Sequence, residues 1–226
     1  MASKISFQKF SAITGIIGCL VMLGTVGVTM VPYVGMYNEP YSLANHFISE
    51  LGDRRFSEYC QVFNVGLMVS STLLLVFAIG FMQQFKGWQR WAMGILGTVT
   101  AISCCLVGAI PEDNLRPHIL VAMVFFHSAL IMVFLNTALT LFSKQPVLPK
   151  WTAALGFLTA AAFLAFVVSP SDLVRAWIAD PKHFVRPEVW IQPILEWACF
   201  FSILLWILTV ATLMLAGRLH PVSAKA

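Results

Sequence analysis

Charge is scarce in this chain: of its 226 residues only 11% are Asp, Glu, Lys or Arg. Soluble domains carry about 25%, so a soluble globular fold is excluded. There is no Gly-X-Y period and no polar low-complexity tract, and with 18 Phe, 10 Met and 7 Trp the chain is too apolar for disorder. The five cysteines, Cys19, Cys60, Cys104, Cys105 and Cys199, include no CxxC pair and fall in or beside apolar stretches. They read as small apolar residues, with no support for a disulfide framework, a zinc finger or a thiol redox centre. What is present is a chain that is 59% hydrophobic with a mean hydropathy of +0.83, the composition of a protein that lives in a bilayer.

A spanning helix needs about 20 mostly apolar residues, because the hydrocarbon core is ~30 Å thick and each residue rises ~1.5 Å. Six stretches qualify, near residues 10–31, 58–81, 91–110, 118–142, 151–169 and 191–216. They leave no room for a soluble domain, and uninterrupted apolar runs are not the alternation of a barrel. The expectation is one all-α domain over residues 1–226, a six-helix membrane bundle. The first stretch has Lys4 and Lys9 ahead of it, as a secretory signal would, but it is longer than a signal's core and no small-residue cleavage site follows it. It reads as a retained span.

Acids are missing from every second connection. The amino end (Lys4, Lys9), the second connection (Lys86, Arg90), the fourth (Lys144, Lys150) and the carboxyl end (Arg218, Lys225) contain none. Every carboxylate falls on the other side: Glu39, Glu50, Asp53, Glu58, Glu112, Asp113, Asp172, Asp180, Glu188 and Glu196. That side also holds Arg54, Arg55, Arg116, Arg175, Lys182 and Arg186, so the basic count alone is eight to six. Short basic connections beside helix ends weigh most in the positive-inside rule, which puts both termini in the cytoplasm of a bacterial inner membrane and the acidic face outside. The net charge of +4 then reflects topology and contact with anionic lipid rather than binding to nucleic acid.

Two outer connections, 32–57 and 170–190, are far longer than joining neighbours requires, and long ordered loops are usually functional. In the first, Ser42 can cap a short helix with Leu43, Phe47, Ile48 and Leu51 on one face and Gly52 as its stop, leaving His46, Ser49 and Glu50 partly toward water or a cleft. A loop merely anchored on lipid fits the same residues. In the second, Ser171 can cap a helix over 172–178, with Asp180-Pro181 as a turn.

Polar residues inside spans are costly. Gln61, Asn64, Met68 and Ser71 form a stripe that either lines a cavity or ties helices together by hydrogen bonds. Glu196, one turn from Gln192, needs a proton or a partner. His127, near the middle of the fourth span, suits a neutral imidazole bonded to another helix better than a metal ligand. Gly94, Gly97, Ala101, Cys104 and Gly108 make a small-residue seam suited to close helix packing. Glu112, Asp113, Arg116 and His118 sit in a short turn bounded by Pro111 and Pro117. Carboxylates with an imidazole can bind a divalent cation, act as acid and base, or grip a headgroup, while a solvated rim loop would carry the same residues.

Taken together, His46-Phe47-Ile48-Ser49-Glu50-Leu51-Gly52-Asp53, Phe63-Asn64, Val107-Gly108-Ala109-Ile110-Pro111-Glu112-Asp113, and His118 with Phe125-Phe126 resemble the prokaryotic membrane family known as domain of unknown function 998. More distantly they are similar to the six-span family of the damage-regulated autophagy modulator and the FGF-receptor-activating protein. The likeness covers roughly residues 10–142. It implies a six-span fold with an outward polar site, a link to lipids, and importance for Ser49, Glu50, Gly52, Asn64, Pro111, Asp113 and His118. A comparison with the membrane hydrolases that include alkaline ceramidases fails on the metal site: there is no HxxxH here, and His118 and His127 lie on opposite helix faces.

The leading expectation is an outward site for the headgroup of a lipid or other amphiphile. Ser49, Glu50, Asp113 and His118 are its candidate catalytic groups, and His46, Asp53, Asn64, Glu112, Arg116 and Glu196 its candidate contacts. Whether it is an enzyme stays open; if it is, a carboxylate and His118 would share acid-base work on an ester with Ser49 as nucleophile. No cofactor is implied. The alternative is a scaffold that binds a protein partner through its outer loops. A transporter ranks third, because the halves show no inverted repeat.

Overall fold

The computed structural model describes residues 6–180 and 183–220; Lys4, Lys182, Lys225 and the second residue of the Asp180-Pro181 turn lie outside them. The apolar runs become α1 (Phe7–Met30), α2 (Cys60–Met82), α3 (Gly87–Ala109), α4 (Leu115–Phe142), α5 (Thr152–Val168) and α7 (Ile191–Leu215), with a short α6 (Asp172–Ala179) after α5. Among the described residues there is no β-strand, only one bridge between Val34 and Pro40.

Local chemistry sets the helix ends. The Ser6 hydroxyl accepts the Lys9 N–H at 3.4 Å and opens α1. Pro117 and Pro193 fall in the first turns of α4 and α7, where no intrahelical N–H is needed. α7 closes on Gly217, whose φ of +66° lets Arg218 N–H reach the Leu213 carbonyl (2.9 Å) and Gly217 N–H that of Met214 (3.3 Å).

Each helix packs on its neighbours in the order α1, α2, α3, α4, α5, α7 and back to α1, so the six form a closed ring. The α3 seam behaves as its small residues predict. A Cβ on Gly97 would stand 3.0 Å from the Ala78 Cβ, and one on Gly108 2.7 Å from the Asn64 carbonyl oxygen, so α2 and α3 touch almost backbone to backbone. Five helices are long and apolar enough to cross a membrane. The fifth expected span, 151–169, is the exception: α5 and α6 meet at 52°, and only as a bent pair do they pass the same test.

Three local expectations are corrected. Over residues 42–52 the expected helix shrinks to a 3-10 turn, Ile48–Gly52, because side-chain carboxylates take the N–H groups that a longer helix would use. α6 starts where expected, but the Ser171 side chain makes no capping bond. His127 faces outward and its Nδ1 bonds the Met123 carbonyl of its own helix at 2.7 Å, not another helix.

Candidate functional site

Between the helices lies a partly open cavity of about 460 Å³, within the usual range for a small-molecule site. Its walls are apolar, from Phe63 and Leu67 down to Phe81, Met93 and Trp206. Its carboxyl and imidazole groups lie toward one end, where Ser49, Glu112, His118, Gln192 and Glu196 reach it beneath the two long loops, while the hydroxyls of Ser70, Ser71 and Thr100 border it at mid-helix. α6 contributes Val174, Trp177 and Ile178 to the same boundary.

The first loop is fixed as a roof over that end by buried polar bonds. The His46 Nδ1 accepts the Ser42 N–H (3.2 Å), so its Nε2 carries the hydrogen and donates it to Glu39 (3.2 Å). Tyr41 Oη donates to the Phe47 carbonyl at 2.8 Å and Trp197 Nε1 to that of His46 at 3.3 Å. At the start of the 3-10 turn, Glu50 accepts the Phe47 N–H (2.7 Å) and Glu196, from α7, the Ile48 N–H (2.6 Å). Glu196 thus has the partner its position demanded. At the end of the turn the Asn64 amide donates to the Gly52 carbonyl at 2.9 Å, tying the roof to α2. A side chain at Gly52 would collide with that amide, its Cβ falling 2.3 Å from Asn64 Oδ1. The polar stripe on α2 therefore divides: Asn64 ties, Ser71 bonds its own helix and borders the cavity, and Gln61 is exposed.

The second loop supplies the cation that meets Glu50, since Arg54 and Arg55 of the first loop pair with Asp113 and Asp53. Arg186 grips Glu50 with two nitrogens, at 2.6 and 3.0 Å, and also donates to the Asn45 carbonyl at 2.6 Å. Both side chains are buried, and the guanidinium stands 5.9 Å from the ring centres of Trp177 and Trp190. Such an ion pair must be well hydrogen-bonded to survive burial, and this one is. Trp190 N–H bonds the Ala44 carbonyl at 2.8 Å, so backbone contact also joins the loops.

Neighbouring acids in the α3–α4 turn have opposite fates. Asp113 faces Arg54, which donates through Nε (3.0 Å) and Nη2 (2.6 Å); those bonds hold its carboxyl below the ordinary range. Glu112 turns inward to 2% exposure, and neither of its oxygens receives a hydrogen bond. The Ser49 hydroxyl is near enough to ease the charge but makes no bond of acceptable geometry. Burial first, and the Glu50 carboxylate second, push the Glu112 carboxyl well above its ordinary value of 4.5.

Among the sequence candidates, the structure brings Ser49, Glu112, His118 and Glu196 to the cavity. It engages Glu50 with Arg186, Asp53 with Arg55 (2.6 Å), Asp113 with Arg54 and His46 with Glu39, and leaves Arg116 exposed. The His118 Nδ1–H donates to the Ile110 carbonyl at 2.7 Å, so Nε2 is the nitrogen able to accept a proton. Among the described residues no group of three His, Cys, Asp or Glu side chains is arranged to hold a metal ion. Sequence reasoning missed Arg186, Glu39 and Tyr33, whose hydroxyl donates to Glu50 Oε2 at 3.4 Å, as members of the site. The signal for Arg186 was a surplus of acids on its side of the bundle, which required a cation in their midst.

Fold and site define an all-helical, multi-pass membrane protein with a mostly apolar, partly open cavity whose carboxyl and imidazole groups lie toward one end. The profile of the family described as "Protein of unknown function (DUF998)" matches residues 22–213, and the chain belongs to that family. No curated protein and no solved structure matches it.

Proposed function

We propose that the protein binds a membrane amphiphile, with its hydrocarbon inside the helix ring and its polar end beside Ser49, Glu112 and His118. The observation that carries this reading is the cavity's asymmetry: about 460 Å³ of mostly apolar space with its two carboxyl groups and its imidazole toward one end. That distribution matches a molecule with one wet and one dry end. Both termini lie in the cytoplasm on this reading, because the acid-free basic connections are all on their side; the site then faces the outer leaflet of the bacterial inner membrane. Lipids are its natural partners.

The test is lipid co-purification. Ala122 borders the cavity, and Ala122→Phe places a ring in it. Mass spectrometry of the purified wild type should find a bound amphiphile that the variant has lost at equal folded yield. Equal retention by both proteins overturns the reading.

A further inference from the structure

Beside the large cavity lies a second space of about 50 Å³, bordered by Tyr33, Glu50, Asp53, Arg55, Arg186 and Glu112 among others. Glu112 borders both spaces. Three carboxylates and two guanidiniums face the small chamber. Each guanidinium is already engaged, Arg186 with Glu50 and Arg55 with Asp53, both with a closest approach of 2.6 Å. Glu112 is left over, 2% exposed and with both oxygens unpartnered. Buried carboxyl oxygens in proteins are almost always hydrogen-bonded, and an exception calls for a missing partner.

Resting on the amphiphile reading above, we infer that the polar end of the ligand is a primary ammonium, seated on Glu112 at the junction of the two spaces. With Glu112 ionised the chamber is short by one cation, which a single ammonium supplies; without that ammonium the buried Glu112 carboxyl keeps its proton instead. An ammonium offers three N–H donors to oxygens that have none. An anionic head would meet three carboxylates, and of the buried guanidinium nitrogens only the Arg186 Nε–H is left without a hydrogen-bond partner, 3.9 Å from a further carboxylate, Glu39. A trimethylammonium head brings charge without donors, leaves the oxygens unbonded and crowds a chamber of about 50 Å³. The hydrocarbon of the same molecule runs into the large cavity.

Three probes of equal chain length read this directly: dodecylamine, dodecanol and dodecyltrimethylammonium. Binding to the purified full chain in detergent is followed by fluorescence of the tryptophans at the cavity, Trp177 and Trp206. Wild type should bind the amine at least about tenfold more tightly than the alcohol, the scale of a charge-assisted hydrogen bond, and more tightly than the quaternary amine. Glu112→Gln should abolish the preference for the amine over the alcohol, while Ala122→Phe should weaken both. If wild type binds alcohol or quaternary amine as tightly as primary amine, the ammonium assignment fails while the cavity reading stands. If no probe binds, or Ala122→Phe affects none, the cavity reading itself fails. The wild-type preference needs no variant, so a folding defect in Glu112→Gln does not blunt the test.

Discussion

At the basic end of the ring, helix ends are closed by hydrocarbon. Phe81 packs edge-on against Phe85 and Trp206, Leu148 and Leu219 are buried under the turns, and one backbone bond from His220 to Val147 fastens the chain after α7. At the other end Glu50, Asp53 and Glu112 are buried under two long loops, and the closure depends on which cation or N–H each one meets. A bundle needs only the first kind of closure to fold. The second costs desolvation, and among the described residues it is found at one end alone.

Substitutions can break this contrast. Arg186→Ala should have the largest effect, about 3–5 kcal/mol, because it strands the buried Glu50 carboxylate; thermal unfolding in detergent measures it. Adding Glu50→Gln should restore much of that loss. Phe81→Ala at the opposite end should cost about 3 kcal/mol by leaving a cavity, and no polar second change should rescue it. If Arg186→Ala unfolds no earlier than Arg175→Ala, on the exposed face of α6, the roof does not depend on its ion pair.

Glu112 sharpens the contrast through pH. Its folded pKa is raised above the ordinary 4.5, so the folded state holds a proton that the unfolded state has released. Stability from this group is complete below about 4.5 and declines as pH rises toward the folded value, by up to about 1.4 kcal/mol per pH unit. The melting midpoint of wild type relative to Glu112→Gln should therefore fall with rising pH from 4.5 upward; a constant difference would show that Glu112 is not held in a desolvated site. Smaller still, Asn64→Ala should cost about 1 kcal/mol by removing the bond to the Gly52 carbonyl, read from the urea midpoint. Arg54→Ala, on an exposed pair, should leave the midpoint unmoved.

The helices were legible because a run of about twenty apolar residues has one stable form in lipid. The stretch expected over 118–142 is α4 with three residues added at its start, and that over 191–216 is α7. The site was legible as a neighbourhood: acids confined to one side, and a proline-bounded turn carrying two more. Which acid of that turn faces inward was not, since Glu112 and Asp113 differ only in turn geometry and in the position of Arg54. Nor was the Arg186–Glu50 pair, whose members are 136 residues apart. His127 illustrates the reverse error, because mid-span depth says nothing about which way a helix face turns.

One wall of the ring is low. At 17 residues α5 rises about 25 Å, short of a ~30 Å hydrocarbon layer, whereas the other five walls have 23 to 28 residues. The gap is covered by α6, which buries none of its own residues and rests on the roof chiefly through Trp177 against Phe47 and Trp190. Lifting that cover breaks a few ring contacts and no helix-helix interface. On that side the interior is bounded by the Val174, Trp177 and Ile178 side chains rather than by a full-height helix.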